Sequence, residues 1–262
     1  MTTAEAPYVL REDHDGIATL TLNRGDRFNP LSAGMIIALT DALNTIARDT
    51  TVRVVILAAH GRGFCAGHDL KEMRAHAQDE KWLATMFNTC SEMMLKITQL
   101  PQPVIARVHG IATAAGCQLT SMCDLAVAAD TATFALPGVN IGLFCSTPAV
   151  GVARNIGRKR AMEMLLTGEM VDAKTALEWG LVNRVVSLDH LDAEVYRFAH
   201  LIRAKSAAVI ALGKKNFYQQ IEMGLSGAYV VSGQTMTCNT MMDDTIEGID
   251  AFLGKRAPNW KQ

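Results

Sequence analysis

The chain has 262 residues, 49% hydrophobic and 19% charged, with a formal net charge of −1. That length exceeds the usual ~100–200 residues of one domain and fits one large domain or a domain with an appendage. The near-neutral charge, without a long run of one sign, implies neither nucleic acid nor an anionic membrane as a bulk partner, and no apolar run reaches the ~18 residues of a membrane span.

The N-terminal MTTAEAPYVL has neither the basic start nor the apolar core of a secretory leader, so a cytoplasmic protein is expected. Ile17 to Asn23 alternates as IATLTLN and reads as a half-buried strand. It runs into a polar loop, Asn23 to Pro30, that carries Arg24 and Arg27. Ser32 is placed to cap a helix whose apolar face is Met35, Ile36, Leu39, Leu43 and Ile46. Val52 to Ala59 is apolar enough for a strand buried on both faces.

A glycine-studded loop follows in the stretch from His60 to Met73 and runs into a helix in which Asp69 is expected to be the second residue. Its glycines suit unusual dihedrals or close approach of a ligand, but it is neither a Walker phosphate loop nor G-x-G-x-x-G. A helix from about Glu80 to Thr98 leads to the stretch Pro103 to Asp124, PVIARVHGIATAAGCQLTSMCD. This reads as an apolar strand, a turn of small residues and a short buried helix. At such a turn the first helical N–H groups lack partners and the dipole adds partial positive charge, a setting that suits an oxygen gaining negative charge.

Beyond it, Leu125 to Ala129 and Thr133 to Leu136 read as short strands. Helices are expected at Thr147 to Asn155, Lys159 to Leu166, Asp172 to Trp179 with a stop at Gly180, Leu191 to Ala204, Ser206 to Met223, Gly227 to Met242 and Thr245 to Leu253. Strands thus fill the first half and helices the second: an α/β core over residues 1–200 and a helical region over 201–262, without a sharp boundary. The six cysteines, Cys65, Cys90, Cys117, Cys123, Cys145 and Cys238, contain no C-x-x-C pair, which points to reduced thiols and no metal. Two small-residue loops, Cys65 to His68 and Thr113 to Gly116, each follow a strand and open a helix. If those strands are neighbours, one amide from each converges on a single carbonyl oxygen, each donor typically being worth ~2.7–4 kcal/mol.

The segments FCAGHDLKEM (Phe64 to Met73), HGIATAAGCQLTSMCDLAVA (His109 to Ala128), LTGEMVDAKTALEWGLVNRVV (Leu166 to Val186) and EGIDAFLGKRAPNW (Glu247 to Trp260) resemble the enoyl-CoA hydratase/isomerase family, the crotonase superfamily. The resemblance implies a spiral of ββα units with a C-terminal helical trimerisation region, a homotrimer or hexamer, and lyase or isomerase-like chemistry of fatty acid metabolism on a CoA thioester, with no tightly bound cofactor. It also implies an oxyanion hole made by the N–H groups of His68 and Ala115. Contacts to coenzyme A are implied for Arg27, Ala66 and Lys71, with Lys255 a looser match serving a neighbouring subunit.

The family's hydratases hold water with two glutamates. The matching positions here are Gln118, in GCQL, and Gly138, in Pro137-Gly138-Val139. An amide cannot accept a proton at neutral pH and glycine offers no side chain, so ordinary hydration is not expected. This combination is similar to the branch containing enoyl-CoA hydratase domain-containing protein 3, and it leaves open a non-catalytic acyl-CoA binder. If the cradle is intact, Gln118→Glu with Gly138→Glu is expected to raise crotonyl-CoA hydration. Structural roles are expected for the Asp69 carboxylate, for His109 and for the Cys117, Cys123 and Cys145 thiols, and Asn140 and Cys145 could line an acyl pocket.

Overall fold

The structure is a computed structural model that describes residues 6–261; the first five residues of the N-terminal stretch lie outside it. The chain enters as a hairpin in which β1 (Val9–His14) runs antiparallel to β2 (Ile17–Leu22). The connection is Asp15-Gly16, with φ of 50° and 74°, the dipeptide suited to tight hairpin turns. Ser32 then caps α1 (Ala33–Ile46), its side chain accepting from the Met35 N–H, and the buried face is the expected Met35, Ile36, Leu39, Leu43 and Ile46.

From here the chain repeats one move. β3 (Val54–Ala59) joins the sheet begun by β2, and β4 (Gly63–Cys65) starts a second sheet; α2 (Leu70–Ala75) and α3 (Glu80–Gln99) return the chain. β5 (Val104–Val108) then enters the first sheet and β6 (Ile111–Thr113) the second, followed by α4 (Ala115–Met122). β7 (Leu125–Ala129) and β8 (Thr133–Ala135) divide in the same way, before α5 (Ser146–Asn155) and α6 (Arg158–Thr167). The result is a six-stranded sheet, β1-β2-β3-β5-β7-β10, beside a four-stranded sheet, β4-β6-β8-β9. All described pairings are parallel except β1 with β2 and β8 with β9.

Two of those strands, β9 (Val171–Asp172) and β10 (Arg184–Val186), flank α7 (Ala173–Trp179) in the half where helices alone were expected. They are too short to carry a readable period, and β10 is recruited by parallel pairing with β7. The remaining elements are α8 (Leu191–Arg203), α9 (Ala207–Gln220), α10 (Leu225–Thr240) and α11 (Asp243–Leu253).

The large sheet is apolar on both faces, and alternation sorts its side chains. Val55, Leu57 and Ala59 join the main core with α1, α3 and α4, while Val54, Ile56 and Ala58 pack with Leu191, Val195 and Ala199 of α8. A buried polar node links the helical region to this core. Lys214 of α9 donates to Asp124 at 2.6 Å and to the carbonyls of Ile97 and Gln102, while the Tyr218 hydroxyl donates to the other Asp124 oxygen.

Candidate active site

β4 and β6 are neighbours in the small sheet, with Gly63 opposite Ile111 and Cys65 opposite Ala112. Running parallel, they deliver their exit loops to the same end of the sheet, and the loops touch. The Thr113 hydroxyl donates to the Ala66 carbonyl at 3.2 Å. A β-carbon on Gly116 would stand 2.0 Å from the Cys65 carbonyl oxygen, and one on Gly67 would stand 2.9 Å from the Ala114 β-carbon. Side chains at either glycine would pry the loops apart.

Ala114 makes the turn between β6 and α4 at φ 50° and ψ −119°. A residue with a β-carbon rarely adopts that conformation, at a cost of about 1–3 kcal/mol. Donation of its N–H to the Ala135 carbonyl at 2.9 Å holds it there. The turn leaves the start of α4 without a side-chain cap, and the helical bonding begins with the Gln118 N–H on the Ala114 carbonyl. On the other loop the Leu31 N–H donates to the Gly67 carbonyl at 2.7 Å and the Ala66 N–H to the Phe28 carbonyl at 2.9 Å. Among the described residues, no protein acceptor takes the main-chain N–H of His68 or of Ala115. Ala115 is fully buried, so its donor is one that folding ordinarily satisfies.

Two side chains beside these amides also keep polar atoms without partners. The His68 ring places Nδ1 3.2 Å from the Leu31 carbonyl and meets the Phe87 ring edge to face, with centroids 5.5 Å apart. Its Nε2 is enclosed and unpartnered, as is Oε1 of Gln118, whose residue is 4% exposed. Burial pushes the His68 pKa below its usual value, against a smaller opposing effect of the Leu31 bond and Glu72. The imidazole is therefore neutral at pH 7.

Gly138 lies in a short 3₁₀ turn, Pro137–Ile141, and its carbonyl accepts from the Leu143 N–H at 2.9 Å. A β-carbon there would fall 2.2 Å from the Leu143 carbonyl oxygen and 2.8 Å from Cys145 Sγ. Backbone and thiol already occupy the space that a side chain at this position would enter. Adding glutamate at 138 therefore tests the turn before it tests the chemistry, which weakens the double restoration as a probe of the pocket.

The other sequence candidates fall into place around this centre. Asp69 is not the second residue of the helix but its extended cap, because its Oδ1 accepts from the Lys71 and Glu72 N–H groups at 2.9 and 3.2 Å, a structural duty. His109 sets Nε2 2.9 Å from the Gly61 carbonyl, as a scaffold residue. Cys65, Cys90 and Cys117 are buried, and desolvation raises their thiols to about 12; burial also raises Cys145. None of these four is a ready nucleophile. Arg27 and Lys71 are exposed beside the first loop, Arg27 lying 3.6 Å from Asp26. Lys255 sits just past α11 at φ 52°, and among the described residues no hydrogen bond ties it to either loop. Sequence reasoning missed Phe87 and the Leu143 carbonyl, because only the folded chain brings them here.

The family description "Enoyl-CoA hydratase/isomerase" matches residues 12–262. The chain belongs to the enoyl-CoA hydratase/isomerase family. Within the family it is 46% identical over 246 residues to mouse "Enoyl-CoA hydratase domain-containing protein 3, mitochondrial", covering 94% of this chain and 82% of the relative. It is 33% identical over 262 residues to "Probable enoyl-CoA hydratase echA8" of Mycobacterium tuberculosis, with 98% of each covered. Among solved family structures, an enoyl-CoA hydratase of Mycobacterium smegmatis superposes with a TM-score of 0.95 at 54% identity, covering 97% of this chain and 99% of the other. The human domain-containing protein 3 superposes at 0.93 with 44% identity, covering 97% and 100%. The crotonase fold expected from the sequence is the fold observed.

Proposed function

We propose that the chain binds an acyl- or enoyl-CoA thioester with its carbonyl oxygen between the N–H groups of His68 and Ala115, and that two-glutamate hydration is not its reaction. The observation that carries this reading is the pair of unspent main-chain donors on touching loops from adjacent parallel strands. Their dipoles are fixed before any ligand arrives, so they stabilise negative charge on the oxygen without reorganisation. Family membership supports the CoA thioester as the substrate class. Arg27 and Lys71, exposed by the first loop, would meet the CoA phosphates, the exposed Ala66 would border the adenosine portion, and Lys255 would act across a subunit boundary.

Gln118 would position the acyl group or a water. It has no proton-accepting capacity at neutral pH, and Gly138 has no side chain, so neither partner needed to add water is supplied. A second reading, an acyl-CoA-binding subunit without turnover, is favoured by the closed space at Gly138. Calorimetric titration with crotonyl-CoA and butyryl-CoA, alongside a hydration assay, tests the proposal. Binding without hydration above background is expected; efficient hydration, or no binding, would contradict it. The chain is proposed to assemble as a homotrimer or hexamer through α9–α11, which leave large apolar side chains uncovered.

A further inference from the structure

We infer that the His68 side chain is the proton acceptor of this site, taking a proton from the carbon next to the thioester carbonyl. The inference rests on the placement of the thioester proposed above. The Leu31 carbonyl can only accept, so the hydrogen at Nδ1 is fixed by its partner, and in the neutral ring Nε2 is left with a lone pair. That lone pair is enclosed and has no protein donor. The ring belongs to the same residue whose N–H would address the thioester oxygen, so the proposed proton acceptor and one of the two oxyanion donors are carried by one residue.

The neighbouring groups do not compete. Asp69 already accepts two N–H groups, Glu72 accepts the Ala33 N–H at 2.9 Å, and the buried thiols are held protonated. Gln118 has an unpartnered oxygen but cannot take a proton at neutral pH. In the step, the Cα–H bond breaks, the proton passes to Nε2, and the electron pair moves through the carbonyl to the oxygen held by the two amides. The products are an enolate and an imidazolium. Return of the proton to the same carbon regenerates the thioester, and return to the γ-carbon of an enoyl chain shifts the double bond. No oxidant, reductant or co-reactant is needed. The ring's surroundings are the Leu31 carbonyl, the Phe87 edge and the Glu72 carboxylate, so the working form is the neutral one.

Deuterium uptake at C2 of butyryl-CoA in heavy water, read by mass spectrometry, tests this, with calorimetric binding of the same ligand measured in parallel. Wild type should exchange, and His68→Ala and His68→Gln should bind butyryl-CoA but exchange roughly 100-fold or more slowly, within the usual range for losing a general base. Exchange by wild type should also fall in acid as the ring protonates. Wild type that binds but does not exchange, variants that exchange like wild type, or variants that no longer bind would each overturn the inference. Wild type that fails to bind butyryl-CoA at all would overturn it together with the proposed thioester placement.

Discussion

Where the loops after β4 and β6 meet, the backbone is packed so closely that one added carbon on Gly116 would overlap the Cys65 carbonyl. Along α10 and α11, by contrast, Leu225, Tyr229, Met241 and Phe252 are between 73% and 83% exposed. The first region has its apolar groups covered and polar donors left over; the second has its apolar groups left over. The leftovers indicate what each region meets. Unspent amides and a lone pair in a closed place suit a small polar group, whereas a broad apolar surface on helices suits another protein surface. The loop geometry is complete within one chain, because both loops rest on strands of one sheet.

The node at Asp124 ties α9 of the helical region to the core just past α4, and breaking it should have the largest effect. Lys214 has a side chain 7% exposed and Asp124 one 15% exposed, so Lys214→Met leaves a buried carboxylate without its cation. A loss of about 3–5 kcal/mol is expected, measured by urea unfolding. An unchanged midpoint would mean that the helical region is held by something other than this pair.

Crowding at the site should come next in size. Gly138→Ala forces a carbon toward the Leu143 carbonyl and is expected to cost about 1–3 kcal/mol, as other overpacked positions do. Gly138→Glu combined with Gln118→Glu should lose stability and gain little crotonyl-CoA hydration, the opposite of what an open vacancy would give. Relief of strain should be smaller and of opposite sign. Ala114→Gly, at φ 50°, is expected to stabilise the fold by about 1 kcal/mol, read as a raised melting temperature.

Acid should act in the same region. Burial lowers the pKa of folded His68 and His109, so the unfolded chain takes up protons first as pH falls. Their contribution to stability is complete above the unfolded value of about 6.5 and is lost progressively below it. Unfolding midpoints at pH 7.5 and 5.5 should therefore differ, with the lower midpoint in acid, and His68→Gln should reduce the difference.

Much of this architecture was legible from residues alone. The Ser32 cap, the stop at Gly180 and the buried run Val54–Ala59 carry local signals that tertiary packing reinforces. β1 was missed because Arg11, Glu12 and Asp13 mask its alternation at the sheet edge, although Asp15-Gly16 was a usable hairpin signal. The loops flanking His68 and Ala115 could be named from their small residues, but the adjacency of β4 and β6 depends on the alternation of strands between two sheets. Gly138 shows where sequence stops informing. A missing carboxylate was readable there, while the carbonyl that fills its place comes from Leu143 through a turn with Gly142 at φ 76°.

The most direct measurement is the infrared carbonyl stretch of butyryl-CoA carrying carbon-13 at the thioester carbon, free and bound to the protein. Two hydrogen bonds from His68 and Ala115 should draw electron density onto the oxygen and move the band to lower frequency. A ligand that binds saturably with its carbonyl band unshifted would show that the oxygen lies elsewhere, and would contradict the account.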